Sequence, residues 1–126
     1  MRLLLDSHVV LWWLDDNEAL GSTCRDAIQD AHEVFVSVAT PWELGIKQAL
    51  GKLQLPGPIT DAAINSGFRH LPIAMEHAEL APTLPPHHRD PFDRMLVAQA
   101  KLEALTLVTA DSALDAYDVE QIDART

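Results

Sequence analysis

Two short apolar runs, one near each end of the chain, lead almost directly into an aspartate. Leu3-Leu4-Leu5 precedes Asp6, and Thr106-Leu107-Val108-Thr109 precedes Ala110 and Asp111. Short runs with this apolar and β-branched character are typical of strands that are buried on both faces. Such strands need helices on both sides of their sheet, so this feature restricts the fold more than any other.

Further strand and helix patterns alternate between these two runs. The other strand candidates are residues 34–38, residues 70–73 and, as an edge strand, residues 119–122. Helical patterns extend from Asp6 to Leu14 and cover residues 23–31, 41–50, 59–67, 75–80 and 91–104. This alternation predicts an α/β fold, a three-layer α/β/α sandwich with a central, mostly parallel sheet.

Length and composition indicate one globular domain that spans residues 1–126. The chain has 126 residues, of which 48% are hydrophobic and 22% charged, as in ordinary globular proteins. Its apolar stretches are too short or too interrupted by charge to cross a bilayer. Cys24 is the only cysteine and lies in a polar segment, which excludes an internal disulfide and indicates an incidental thiol. We therefore expect a cytoplasmic protein without membrane association.

The net charge argues against one common way of binding nucleic acid. The chain contains nine Lys and Arg residues and 19 Asp and Glu residues, which gives a formal net charge of −10. A chain this acidic does not bind nucleic acid through a broad basic surface. It can still act on a phosphodiester if bound divalent cations reverse the local field. The charge also predicts a basic protein partner.

Four carboxylates are predicted to meet at one edge of the sheet. Asp6 and Asp111 follow strands, and ligands of open α/β sheets bind beyond the carboxyl ends of the strands. Glu43 lies in the first turn of the helix predicted at residues 41–50. Asp93 lies in the first turn of the helix that begins at Asp90. Helices that follow strands start at this same edge, so the four side chains are expected to converge.

Each carboxylate also has a purely structural interpretation. Thr40-Pro41-Trp42-Glu43 matches a capping box, and Asp90-Pro91-Phe92-Asp93 is a similar helix start. Asp6 and Asp111 are suited to cap the helices that follow them. The joint pattern favours a cation, because crowded carboxylates repel one another. Oxygen ligands without a cysteine indicate Mg²⁺ or Mn²⁺ rather than zinc.

Several neighbouring residues are candidates for supporting roles. Ser7 and Thr109 lie next to predicted ligands and can either orient them or make local turn hydrogen bonds. Lys47 lies one turn after Glu43 and can form an ordinary ion pair or attract phosphate. Arg94, beside Asp93, is another basic group near the predicted site.

The histidines and tryptophans carry weaker signals. His87 and His88 form an adjacent pair in a proline-rich loop, so we expect them to be solvated rather than metal ligands. Trp12, Trp13 and Trp42 are expected in the core, between helices or at a protein interface.

These motifs, in this order and spacing, resemble those of the PIN-domain nucleases, and more closely the VapC-type toxins of toxin-antitoxin pairs. The resemblance covers nearly the whole chain. It rests on Leu3-Leu4-Leu5-Asp6-Ser7-His8, Trp42-Glu43-Leu44-Gly45-Ile46-Lys47, Asp90-Pro91-Phe92-Asp93-Arg94 and Leu107-Val108-Thr109-Ala110-Asp111.

The resemblance implies a PIN fold and a Mg²⁺- or Mn²⁺-dependent endoribonuclease toxin. It also implies a homodimer, an RNA substrate and inhibition by a cognate antitoxin. The acidic quartet of the family corresponds to Asp6, Glu43, Asp93 and Asp111, with Asp90 as a further carboxylate nearby. Ser7 stands at a position where the family frequently has threonine, and Thr40-Pro41 where small polar residues are more usual. Neither difference affects the quartet.

Two other functional classes stay open on sequence alone. Mg²⁺-dependent phosphatases with an aspartate nucleophile also place Asp after the first strand, but their second aspartate corresponds to His8. A catalytically inactive PIN-like interaction module would keep the fold and only bind partners. Metal titration combined with an RNA cleavage assay separates these classes.

Overall fold

The computed structural model describes all 126 residues and confirms the alternation of strands and helices. The strands are β1 (Arg2–Leu5), β2 (Glu33–Ser37), β3 (Arg69–Leu71), β4 (Thr106–Thr109) and β5 (Gln121–Asp123). The helices are α1 (Ser7–Leu14), α2 (Ser22–Asp30), α3 (Ala39–Ala49), α4 (Ile59–Asn65), α5 (Met75–Leu80) and α6 (Pro91–Glu103). None of these helices combines the length and apolar composition that a membrane crossing requires.

The five strands form one fully parallel sheet in the order β3-β2-β1-β4-β5. The central strand β1 pairs with β2 on one side and β4 on the other, where Leu5 lies opposite Val108. The chain runs outward from β1 to β3 and then returns to β4, so the strand order reverses between β1 and β4. Ligand sites of open α/β sheets lie beyond the carboxyl ends of the strands at such a reversal.

Each face of the sheet has its own hydrophobic core. Leu3 and Leu5 point into one core and Leu4 into the other, and all three are completely buried. The first core includes residues of α1, α2 and α4, and the second includes residues of α6 and the loop before it. This arrangement confirms the predicted three-layer sandwich.

Cys24 lies in a helix of mostly polar sequence, as predicted, but its own side chain faces the protein interior. Cys24 and Ile28 lie one turn apart on α2, and both are buried in the first core. Burial raises the pKa of the Cys24 thiol to about 11. Cys24 therefore packs as a small apolar residue.

The predicted capping box at Thr40-Pro41-Trp42-Glu43 is wrong. Helix α3 begins at Ala39, two residues earlier than predicted, and the Ala39 N–H donates to Ser37 Oγ over 3.0 Å. Thr40 therefore lies inside the helix, where its buried hydroxyl has no hydrogen-bond partner. Glu43 lies beyond the first turn and is not needed as a cap.

We predict that Gly21→Ala lowers the stability of the fold. A β-carbon at Gly21 would lie 2.1 Å from the carbonyl carbon of Thr126. The Gly21 N–H also donates to Ala124 O over 2.9 Å, so the segment 124–126 would have to move. We expect a loss of about 1–2 kcal/mol in the free energy of unfolding, measured by urea denaturation.

Gly45→Ala is the matched control, because a β-carbon there meets no atom within 4 Å inside helix α3. It should raise stability by about 0.5–1 kcal/mol. A Gly21→Ala variant as stable as the wild type would contradict the close packing of Thr126 against α2.

Candidate active site

Asp6 and Asp111 lie at the strand reversal and are linked through one hydroxyl. Asp6 follows β1 directly and is 4% exposed. Its Oδ1 accepts a hydrogen bond from the Val9 N–H, which confirms that it caps α1, and its Oδ2 accepts one from Thr109 Oγ1 at 2.5 Å. Thr109 Oγ1 in turn accepts the Asp111 N–H at 3.0 Å. Thr109 therefore sets the relative position of the two aspartates.

Glu43 is buried on α3, with a partner for each carboxylate oxygen. The Ser7 hydroxyl donates to Oε1, and Lys47 Nζ lies 3.3 Å from Oε2. Of the two roles considered for Lys47, the ion pair with Glu43 is therefore present. Lys47 remains partly exposed, so its ammonium group is accessible from solvent.

Asp90 and Asp93 occupy the start of α6 in different ways. Asp90 Oδ1 caps the helix by accepting two backbone N–H groups of the first turn, as predicted. Burial raises the pKa of Asp93 to about 7, and the neighbouring Asp90 adds to the rise. Glu43 and Asp6 also raise it, while His88 acts in the opposite direction. The acidic side chains are thus close enough to repel one another.

The other two aspartates show how burial and hydrogen bonding compete. Burial raises the pKa of Asp6 above its usual range. Partial burial acts the same way on Asp111, but the Ala113 N–H and His88 more than offset it, so the pKa of Asp111 is lowered. A set of crowded carboxylate oxygens fits a hard divalent ion, which would relieve their repulsion.

The expectation that His88 is solvated is wrong. Its Nε2 lies 2.8 Å from Asp111 Oδ2 and 3.2 Å from Asp93 Oδ2. These three groups place their ligand atoms within 4.8 Å of one another. His87 is exposed, as expected, and its ring packs against the edge of Tyr117. The sequence contains one indication that His88 lies near the acidic cluster, namely its place two residues before Asp90.

Arg94 holds the loop that carries His88 and does not point its charge at the carboxylates. Its guanidinium donates to five carbonyl oxygens of residues 81–88, among them those of Pro85 and His88. Tyr117, which sequence analysis missed, donates its hydroxyl to Pro85 O at 2.7 Å and accepts the His88 N–H at 3.1 Å. Together they fix this loop beside the acidic cluster.

The three tryptophans have different surroundings. Trp13 packs against Phe68 at the edge of the first core. Trp12 lines a surface groove between α1 and α4. Trp42 is 63% exposed and packs edge-on against Phe92. The last two are accessible to a partner.

A family model for the PIN domain matches residues 3–120. The chain belongs to the PIN domain family. This PIN domain is 30% identical over 118 residues to Ribonuclease VapC22 from Mycobacterium tuberculosis, and the match covers 91% of each chain.

Solved structures confirm the PIN fold. A chain of VapBC2 from Rickettsia felis, bound to a promoter DNA fragment, superposes with a TM-score of 0.71 at 11% identity, over 98% of each chain. A chain of DNA-bound VapBC from Salmonella typhimurium gives a TM-score of 0.68 at 15% identity, over 98% of each chain. At these identities the likeness concerns the fold alone.

We predict that Asp93→Asn stabilises the metal-free protein in a pH-dependent way. The pKa of Asp93 is about 7 in the folded protein against an ordinary value of 3.8. The folded state therefore binds more protons between these values, and this group lowers stability as pH rises through that window. Asparagine removes the charge, so the variant should gain about 1–2 kcal/mol over wild type at about pH 8, with solvent screening taken into account.

The gain should shrink towards zero below about pH 3, where Asp93 is protonated in the unfolded state as well as in the folded one. The measurement is urea denaturation in EDTA across this pH range, with the exposed Asp118→Asn as control. A difference between Asp93→Asn and wild type that does not vary with pH would contradict the crowding of charge at Asp93.

Proposed function

We propose that this PIN domain is a Mg²⁺- or Mn²⁺-dependent endoribonuclease, and a toxin neutralised by a cognate antitoxin. The observations that support the proposal are the mutual effects of the acidic side chains. Glu43 and Asp6 raise the pKa of Asp93, Asp111 raises that of Asp6, and Asp93 and Asp111 both lie next to His88 Nε2. The relative with 30% identity is named a ribonuclease, which supports RNA as the substrate.

In this proposal Asp6, Asp93 and Asp111 hold the cation, with Glu43 beside them. The bound ion supplies the positive charge that activates water and stabilises the phosphodiester oxygens during hydrolysis. Thr109 keeps Asp6 in place through its hydroxyl, and the Ser7 hydroxyl does the same for Glu43. These hydrogen bonds fix the carboxylates in advance, so little reordering is needed when the ion binds.

The net charge of −10 is compatible with an RNA substrate under this proposal. A divalent ion at the cluster reverses the local field, because it is the largest charge in the site. Lys47 adds a partly exposed ammonium group next to Glu43. Attraction of phosphate is therefore local rather than spread over the surface.

The two alternatives have less support from the structure. A phosphatase with an aspartate nucleophile would need a second carboxylate at position 8, where His8 stands exposed. A purely structural interaction module gains nothing from buried, mutually repelling carboxylates, which cost stability when no cation is bound. The quartet is therefore better explained by catalysis.

Neutralisation by an antitoxin is supported by a groove beside the C-terminal half of α1. The groove has a volume of about 630 Å³ and is lined by α1, α4 and the segment between α3 and α4, including Leu11, Trp12, Leu14, Leu53 and Ile59. Helix α1 begins right after Asp6 and its eight residues span about 12 Å. One partner segment can thus fill the groove with apolar side chains and reach the carboxylates with an Arg or Lys.

The homodimer is also part of the proposal. Trp42 on α3 and Met75 on α5 are large apolar residues that are 63% and 78% exposed. A groove of about 350 Å³ lies among Trp42, Phe92 and Met95. Exposed apolar side chains gathered beside a groove favour a protein interface.

We predict that Asp6→Asn and Asp93→Asn each reduce RNA cleavage by about 100-fold or more, because an amide keeps the shape but loses the charge that holds the ion. Glu43→Gln should keep its contact with Ser7 and lose most activity. Cleavage of labelled RNA is followed with Mg²⁺ or Mn²⁺, with Asp118→Asn as control and circular dichroism as a check of folding.

Full cleavage by Asp6→Asn or Asp93→Asn would contradict the assignment of these ligands. Binding of Mg²⁺ or Mn²⁺ without cleavage of any RNA would favour the interaction module. Hydrolysis of a phosphate monoester instead of RNA would favour the phosphatase.

We predict that the antitoxin and the divalent ion compete. A basic side chain of the partner pairs with the same carboxylates that hold the cation, so antitoxin affinity should fall as Mg²⁺ rises. Asp6→Asn with Asp93→Asn should weaken the affinity and remove its Mg²⁺ dependence. Trp12→Ala, in the groove, should weaken the affinity while the dependence stays. The affinity is measured by calorimetry. If it depends neither on Mg²⁺ nor on the aspartate substitutions, the antitoxin binds at another site.

A further inference from the structure

Both ring nitrogens of His88 are engaged, and their partners fix where the ring carries its proton. The Asp90 backbone N–H donates to Nδ1 over 3.0 Å. An N–H group cannot donate to a protonated nitrogen, so Nδ1 is unprotonated and the proton lies on Nε2. Nε2 faces Asp111 Oδ2 at 2.8 Å and Asp93 Oδ2 at 3.2 Å. His88 therefore donates a hydrogen bond to Asp111, and its Nε2–H also lies close to Asp93.

This arrangement excludes His88 as a direct metal ligand, although its ligand atom lies within 4.8 Å of those of Asp93 and Asp111. A ligand nitrogen needs a free lone pair, which would require the proton to move to Nδ1. There it would face the Asp90 N–H, and two donors would point at each other. The backbone at Asp90 thus prevents coordination through Nε2.

The backbone of His88 is held as firmly as its ring. The His88 N–H donates to the Tyr117 hydroxyl at 3.1 Å, and its carbonyl oxygen accepts from Arg94 Nη1 at 3.1 Å. The Tyr117 hydroxyl is itself fixed by donation to Pro85 O. With the ring mostly buried and the backbone held on both sides, the Nε2–H has one direction available.

We propose that His88 is a positioning residue of the ion site, an inference that rests on the proposed nuclease function. Its Nε2–H holds Oδ2 of Asp111, whose Oδ1 is held by the Ala113 N–H. The same Nε2 lies 3.2 Å from Asp93 Oδ2, so the positive end of the N–H dipole is close to both aspartates. His88 thereby lowers the repulsion between them and orders Asp111 for the ion.

The first test measures divalent-ion affinity by calorimetry with Mn²⁺. His88→Ala should weaken Mn²⁺ binding by about 10–100-fold, the usual effect of losing a partner that orients metal ligands. His88→Gln places an amide N–H near the position of Nε2 and should restore most of this affinity. His8→Ala is the matched control, because His8 influences Asp6 and Asp111 electrostatically but donates no hydrogen bond to them. It should leave the affinity nearly unchanged.

The second test reads the proton on His88 directly. In ¹⁵N-labelled protein, long-range ¹H–¹⁵N correlation spectra should show the Nε2–H tautomer both without Mg²⁺ and at saturating Mg²⁺. Loss of the Nε2 proton when Mg²⁺ binds would make His88 a ligand and overturn the inference. A proton on Nδ1 in the metal-free protein would overturn it as well. This test uses the wild type, so it decides even if His88→Ala does not fold.

The outcomes separate this inference from the proposed function. If Asp93→Asn cleaves RNA normally, the proposed nuclease site is wrong. If Asp93→Asn is inactive while His88→Ala keeps wild-type Mn²⁺ affinity and cleavage, only the positioning role is wrong. The positioning role requires only a donated hydrogen bond, which the amide of His88→Gln can supply. If His88→Gln binds Mn²⁺ as weakly as His88→Ala, the positioning role is therefore wrong.

Discussion

Repulsion among carboxylates at a buried edge of the sheet is the constraint around which the rest of this protein is arranged. Asp6 and Glu43 are almost completely buried, and Asp93 lies close enough to both for its pKa to rise to about 7. Each of these groups would be expensive to bury without partners. Hydrogen bonds counter part of that cost, through Thr109 to Asp6, Ser7 to Glu43 and His88 to Asp111. His88 Nε2 also lies 3.2 Å from Asp93 Oδ2.

The fold supplies a second source of compensation at the same edge. Asp6 stands at the start of α1 and Asp93 in the first turn of α6. The exposed N–H groups of a helix start favour negative charge, so these positions tolerate carboxylates that would be costly elsewhere. Asp6 uses its two carboxylate oxygens differently, since Oδ1 caps the helix and Oδ2 accepts the Thr109 hydroxyl.

Sequence patterns predicted those site residues whose position follows from the strand or helix next to them in the chain. Asp6 and Asp111 follow apolar runs that form buried strands, and the rule for parallel sheets brings such ends together. The pattern at Thr40 predicted the wrong helix start. The helix begins at Ala39, whose N–H donates to Ser37 Oγ, and Thr40 is buried in the first turn. His88 could not be predicted, since its partner Asp111 lies 23 residues away. Its loop takes its shape from Arg94 and Tyr117, contacts that no local pattern encodes.

The pairing of β1 with β4 has a consequence for how the protein is made. Thr109 and Asp6, whose hydrogen bond joins the two strand ends, are 103 residues apart in the chain. Contacts this distant in sequence form late, because closing so long a loop costs entropy before any pairing is gained. In a nascent chain on the ribosome, the edge of β1 that pairs with β4 therefore stays unpaired until β4 emerges. A chain that ends before β4 lacks Thr109 and Asp111 and cannot assemble this cluster.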